Sequence, residues 1–245
     1  MAGASEGLGE AFADALADRG YALLLLARRA DRLQAVRDRL AAKVEVRIAV
    51  LDLATPELPE RLAELVDGLE VELGVYNAAY APVGGFLERT LADLLQAIDV
   101  NVRGPLVFAH TLAPAMVARK RGGLVIVSSL AGFQGAPRLA TYAATKAFGR
   151  VLGEGLWSEL RGEGVHVLVS AAGAIRTPGY HGAATGDAPG TLDPAEVAER
   201  TLAQLGHGPT IVPGFVNRLA QLVMGRLLPK RAAIAIMAAN TKDLA

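Results

Sequence analysis

Ala2-Gly-Ala-Ser-Glu-Gly-Leu-Gly9 is the stretch on which the fold turns. Gly3, Gly7 and Gly9 form G-x-x-x-G-x-G, and Leu8, Ala11, Phe12, Ala15 and Leu16 then recur as one apolar helical stripe that ends at Gly20. A helix therefore starts near Gly7, straight out of a glycine-rich turn. Glycines let backbone approach phosphate oxygens, and a helix N-terminus adds amide donors and a favourable dipole, with the Ser5 hydroxyl beside them. An ordinary glycine-rich turn has the same composition, so the segments that follow must decide between the two readings.

Working outward, Tyr21 to Ala27 is a short continuous apolar run, as expected for a parallel strand covered on both faces. A charged helix over 30–42 follows, then an alternating strand from Val44 to Val50 that ends at Asp52, a helical stretch, and a strand near Val71 to Tyr76. Helical segments over 90–121, a strand from Leu124 to Ser128, a helix over 140–161 and a strand from Val165 to Ser170 continue the rhythm. This alternation predicts an α/β doubly wound parallel sheet of the Rossmann type, as a single domain over 1–245. Residues 172–193, rich in Gly, Ala and Pro, break the rhythm and read as a lid or binding loop. Asp193-Pro194 reads as a helix cap followed by proline in the first turn, and 215–240 as a C-terminal helical tail.

The chain begins inside the glycine turn, with Met1 and Ala2 ahead of Gly3, where this fold places a central strand. Its absence predicts neighbours without hydrogen-bond partners and a glycine loop without an anchor. A truncated reading frame is the expectation.

With 25 basic and 25 acidic residues, the chain has no global field for a phosphate backbone, so nucleic acid is excluded as a partner. No cysteine is present, which removes a disulfide scaffold, a thiolate-zinc site and a catalytic thiol, and no metal is expected. A reducing, cytoplasmic location suits such a chain. The longest apolar runs fall far short of the roughly 20 residues that cross a bilayer.

The chemistry-bearing residues follow the same order. Arg28-Arg29 stands one helix and one strand after the glycine turn, where the adenosine ribose of a dinucleotide is met. An acid there suits the free hydroxyls of NAD, whereas arginine pairs with the 2′-phosphate of NADP(H), against the alternative of a solvated charge pair. Asp52 is placed either for the adenine amino group or to cap the next helix. Tyr142-Ala-Ala-Thr-Lys146 sets a phenol and an ammonium one turn apart on a helix, and Lys146 is expected to lower the tyrosine pKa. Ser129, thirteen positions earlier at a strand end, can hold a carbonyl oxygen, with Ser128 as its rival.

These pieces together resemble the short-chain dehydrogenase/reductase family, in its compact NADP-preferring branch. The matching residues are Ala2 to Gly9, Asp52-Leu53, Asn77-Ala78, Asn101 within Asp-Val-Asn-Val, Ser129, Tyr142 to Lys146, and Gly173-Ala-Ile-Arg-Thr177, in the family's order over nearly the whole chain. The resemblance implies Tyr142 as general acid or base, Ser129 as donor to the substrate oxygen, and Lys146 as pKa modulator and ribose ligand. It also implies Asn101 as holder of a relay water. The cofactor groove it implies is lined by Gly3, Ser5, Gly7, Leu8, Gly9, Arg28, Arg29, Asp52, Leu53, Asn77, Ala78, Gly173, Ile175 and Thr177, together with Tyr142 and Lys146. It further implies a homodimer or homotetramer. Ala2, the run Tyr76-Asn77-Ala78-Ala79 and Ala172 depart from the family's usual Thr, Asn-Asn-Ala-Gly and Pro.

Residues 80–86, Phe133, Gln134, Tyr180 and His181 are the expected substrate-facing positions; most are small or apolar, which suggests an apolar ketone, aldehyde or acyl carbonyl, or the matching alcohol. His181 itself reads as a solvated loop side chain, and Trp157 as a core or subunit-interface residue. The apolar tail with Arg218, Arg226, Lys230 and Arg231 reads as a cover for the pocket or a neighbouring subunit, with contact to a membrane surface as the alternative. A non-catalytic protein on the same fold and, further off, a sugar-nucleotide epimerase sharing Tyr-x-x-x-Lys are the competing functions; the epimerase is disfavoured by the glycine spacing.

Overall fold

The computed structural model describes residues 1–183 and 186–242, without the side chains of 181–183. Its strands are β1 (Leu23–Ala27), β2 (Val46–Val50), β3 (Leu73–Tyr76), β4 (Gly122–Ser129), β5 (Val165–Ala172) and β6 (Thr210–Ile211). β1 pairs with β2, and β3 to β6 pair in sequence order, all in parallel. Along each strand successive side chains enter opposite layers. Leu25, Val75 and Val125 join Phe12, Leu16, Leu33 and Val197, whereas Leu26, Tyr76 and Leu124 join Leu58, Leu62, Phe108 and Met116. The first layer is covered by α1 (Gly7–Asp18), α2 (Ala30–Leu40) and α8 (Pro194–Gln204), and the second by α3 (Leu58–Val66), α5 (Gly104–Ala118) and α6 (Ala140–Leu160).

The two sheet segments are joined by the dipeptide Met1-Ala2, which corrects the expectation of an unanchored glycine loop. Ala2 bridges in parallel to both Leu26 and Tyr76. Its amide donates to Val75 O at 2.9 Å, Asn77 N donates to Ala2 O at 3.0 Å, and Leu26 N donates to Met1 O at 2.8 Å. Gly3 N then donates to Leu26 O at 2.8 Å, so the loop leaves the sheet from a fixed point. Ala2 is fully buried at this joint.

Further differences have local causes. The helical segments over 90–121 are α4 (Leu91–Ile98) and α5, joined by a π turn (Asp99–Arg103) that the periodicity does not show. Beside that turn the Tyr76 hydroxyl donates to Val100 O at 2.6 Å, in space that a side chain at Gly104 would fill. Tyr76 also meets Phe108 edge-on, with ring centroids 5.4 Å apart. The 172–193 segment is partly ordered by α7 (Pro178–Ala183) and by a bridge from Ile175 to Leu192. The Asp193 side chain does not cap α8; it reaches Arg176 at 3.0 Å, while Pro194 does open the helix. The tail divides into α9 (Phe215–Leu222), a π turn (Val223–Leu227) and α10 (Lys230–Thr241). β6, two residues long, lies below what an alternation pattern can show.

Candidate active site

β4 delivers two serines to the C-terminal edge of the sheet, and alternation sends them to different places. Ser128 points into the core and donates to Lys146 O at 2.7 Å, fastening α6 to the sheet. Ser129 points out of it: its hydroxyl accepts from Ala131 N at 3.2 Å and stands close enough to the Tyr142 phenol to lower its pKa. Ser129, and not its neighbour, therefore shares a position with Tyr142.

Lys146 lies one turn along α6 from Tyr142, 5 % exposed, with its ammonium 5.7 Å from the tyrosine ring centroid. Nζ donates to Val127 O at 2.9 Å. An ammonium has three protons to donate, and this carbonyl takes one of them. Burial pushes the Lys146 ammonium down to about 8. Burial also pushes the Tyr142 phenol above the ordinary tyrosine value, and the neighbouring Ser129 hydroxyl pulls it part of the way back. The expected lowering by Lys146 is not found: burial in low-dielectric surroundings, which penalises a phenolate, sets the direction of the shift.

Asn101 occupies the middle of the π turn and is buried. Its Oδ1 accepts from Tyr80 N at 2.8 Å, and its Nδ2 donates to Tyr80 O at 2.7 Å and to Thr145 Oγ1 at 3.0 Å. Thr145 in turn donates to Tyr142 O at 2.8 Å. Asn101 therefore ties the segment after β3 to the backbone that carries Tyr142. Tyr80, expected to face substrate, instead holds Asn101 through its backbone, and Thr145 escapes a motif reading; its available signal is a threonine at a buried position inside an otherwise Ala-rich turn of helix.

The glycine loop meets the same edge. Gly3 has φ +80°, and a Cβ there would lie 2.6 Å from Ala78 N, so only glycine lets the loop close on β3. The Asn77 amide donates to Gly3 O at 2.9 Å, a Cβ at Gly9 would collide with that same carbonyl, and Gly7 faces the Thr177 methyl. Leu8 is a core side chain that leaves its amide at the start of α1. Glu6, in the N-cap position, makes no capping bond to the first turn. Its carboxylate instead pairs with Arg29 at 2.5 Å and with Arg32, while Arg29 also reaches Ser5 Oγ at 3.5 Å. Arg28 is exposed and makes no ion pair or hydrogen bond among the described residues.

The remaining expected positions divide. Asp52 caps its own turn by accepting from Ala54 N at 3.0 Å, and the Leu53 side chain belongs to the second core layer. Ile175 packs against the first layer, and Thr177 Oγ1 accepts from Tyr180 N at 3.2 Å. Gly173 faces Asn217, whose oxygen would lie 2.7 Å from a Cβ there. Of the substrate-facing candidates, Tyr80 donates to Asp93 at 3.1 Å, Phe133 stacks under the Arg150 guanidinium at 4.8 Å, and Tyr180 donates to Gly186 O at 3.1 Å. The side chain of His181 lies outside the described residues. Trp157 packs on the second core layer with Arg161 over its ring at 4.6 Å. A surface cleft of about 670 Å³ between α1, α2 and the start of α8 touches Ser5 and Gly7 but none of Ser129, Tyr142 and Lys146.

Residues 1–186 match the family model described as short chain dehydrogenase. The chain belongs to that family. Among its relatives in this family of oxidoreductases, a very-long-chain 3-oxoacyl-CoA reductase of Phaeosphaeria nodorum is 30% identical, covering 96% of this chain and 73% of the relative. Against three further reductases of that name the matched region is shorter, and it covers 51%, 58% and 54% of their lengths. A structure described under 7beta-hydroxysteroid dehydrogenase stereoselectivity superposes with a TM-score of 0.91 at 25% identity, covering 97% of this chain and 95% of the other. A short-chain dehydrogenase from Sphingobium yanoikuyae in complex with NADPH gives 0.82 at 28% identity, with 93% and 92% covered. Among the described residues no helix is long and apolar enough to cross a membrane.

Proposed function

We propose that this short-chain dehydrogenase is an NADP(H)-dependent oxidoreductase acting on an apolar carbonyl or alcohol. The observation that carries the reading is that the Ser129 hydroxyl and the Tyr142 phenol stand side by side, with the Lys146 ammonium 5.7 Å from the tyrosine ring centroid and incompletely satisfied by protein.

The donor set fits a nicotinamide dinucleotide. Uncapped first-turn amides of α1 and the Ser5 hydroxyl suit the pyrophosphate, the unpaired Arg28 suits a 2′-phosphate, and the remaining Lys146 protons suit ribose hydroxyls. Arg29 is drawn off toward Glu6, which leaves Arg28 as the arginine of the pair that selects the cofactor. Asn77, Ala78 and Thr177 frame the groove between loop and lid. When bound, the dinucleotide supplies the hydride that reaches the carbonyl carbon.

The chain's own residues handle the oxygen and its proton. Ser129 donates to the carbonyl oxygen and fixes it where Tyr142 can reach it. Tyr142 gives its proton to that oxygen as negative charge develops, and the nearby Lys146 charge stabilises the phenolate left behind. Oxidation of an alcohol reverses each transfer. The 3-oxoacyl-CoA reductase and hydroxysteroid dehydrogenase named above support an apolar carbonyl as the substrate class. Exposed Leu91, Leu95, Leu106 and Val151 on α4, α5 and α6 support self-association through these helices.

The test is titration with NADPH and NADH in parallel, followed by turnover against apolar ketones and aldehydes. Arg28→Ala is expected to weaken NADPH and leave NADH unchanged, and Tyr142→Phe to abolish turnover while NADPH still binds. Full turnover by Tyr142→Phe, or equal loss of both cofactors in Arg28→Ala, would overturn the reading.

A further inference from the structure

Helix α9 is mounted with its apolar side outward. The residue it buries is Asn217, whose amide donates to Pro213 O at 2.9 Å and Gly190 O at 3.0 Å. On the opposite side Phe215, Leu219, Leu222 and Arg226 recur at i, i+4, i+7 and i+11 through α9 and its π turn. Phe215 is 72% exposed, Leu219 51% and Leu222 42%, with Val216 and Leu227 exposed at the edges. Scattered exposed leucines are ordinary, but a continuous row on one helix marks a contact surface.

The charges around the row specify what it contacts. From His207 to Lys242 the chain has five cations and no acid. Elsewhere arginines sit on carboxylates, as Arg19 does on Glu199 and Arg121 on Glu70 and Glu72. Arg218, Arg226, Lys230 and Arg231 are exposed and form no ion pair among the described residues. A second copy docked through this face about a two-fold axis would set these cations against themselves. A partner with apolar depth beneath an anionic surface satisfies both halves of the patch.

We propose that the α9 face docks on an anionic lipid surface, with Phe215, Leu219 and Leu222 entering the acyl boundary and Arg218, Arg226, Lys230 and Arg231 meeting headgroup phosphates. α9 also packs against the turn that follows Ser129 and holds the lid segment through Gly190. A docked molecule therefore has its lid beside the bilayer. On the reading of an apolar substrate, that substrate passes between bilayer and site without crossing water.

Flotation of the full chain with vesicles tests this with neither cofactor nor substrate present, so its failure is separate from failure of the oxidoreductase reading. The chain is expected to float with phosphatidylcholine–phosphatidylglycerol vesicles and not with phosphatidylcholine alone, and to be released by salt. Arg226→Gln should weaken binding about fivefold, at roughly 1 kcal/mol per cation near an anionic surface. Leu219→Glu should abolish it, with NADPH binding and the thermal melt of both variants unchanged to show an intact fold. Absence of binding to the anionic vesicles, or equal binding to both kinds, would overturn the proposal. So would a fall in oligomeric state caused by Leu219→Glu in lipid-free solution, which would assign the face to a second copy.

Discussion

Lys146 is a buried ammonium with one protein acceptor, and its low pKa has two measurable consequences. Its charge disappears above about pH 8, so carbonyl reduction should fall through that pH; a reduction profile flat from pH 7 to about 9.5 would contradict the assignment. Between about 8 and the ordinary lysine value of 10.5 the unfolded chain holds a proton that the folded chain lacks, so stability rises with pH across that window. Below it, burying the charge costs about 3 kcal/mol. Lys146→Met should therefore abolish turnover yet gain about 2 kcal/mol in urea unfolding at pH 7, once the lost bond to Val127 O is allowed for. Thr145 is the other informative residue, since it alone carries Asn101's grip to the Tyr142 backbone among the described contacts. Thr145→Val is expected to cost about 1–2 kcal/mol of stability and to lower kcat more than it raises KM, with Thr145→Ser restoring most of both. At this scale Ser129, Tyr142 and Lys146 were legible because their spacing fits one strand end and one helix turn. Thr145 was not, and neither was the bond pair between Tyr80 and Asn101, because these contacts cross between segments far apart in the chain.

At the level of elements, the glycine loop, the lid and α9 behave as a connected set. Gly3 is fitted to Ala78, Gly7 to Thr177, and both Gly173 and Gly190 make room for Asn217. Asn217 is thus the fastener between α9 and the lid, and its two donated bonds hold carbonyls that α9 would otherwise leave loose. Asn217→Leu should loosen the 172–193 segment, read as faster hydrogen exchange there and a KM raised severalfold with kcat changed by less than about twofold. Unchanged exchange in that segment would show that the lid is held by other contacts. Glu6 acts on the same set from the cofactor side, since it occupies Arg29 and Arg32. Glu6→Gln frees both cations and is expected to tighten NADPH more than NADH, measured by nicotinamide fluorescence. The alternation of helix and strand made these elements readable, whereas their fastenings depended on which glycines face which side chains. No period in the sequence records that.

The whole molecule is two sheet segments held in register at Ala2. Because the Ala2 amide donates to Val75 O, Ala2→Pro removes one rung of the joint and should cost about 2 kcal/mol, lowering Tm by roughly 4–8 °C. A melt unchanged by Ala2→Pro would show that the joint contributes little. By itself the sequence determined the parallel α/β architecture and the order of its elements through β5, and it singled out Ser129, Tyr142, Lys146 and Asn101 as candidates, since apolar periodicity and short spacings are local properties of a chain. The tertiary structure alone decided that Ser129 rather than Ser128 faces the phenol, and that Arg29 rather than Arg28 pairs with Glu6. It alone also decided that two residues bridge the sheet and that α9 turns its apolar side outward. Those outcomes rest on hydrogen bonds and charge pairs between residues distant in sequence, which exist only once packing has brought them within reach.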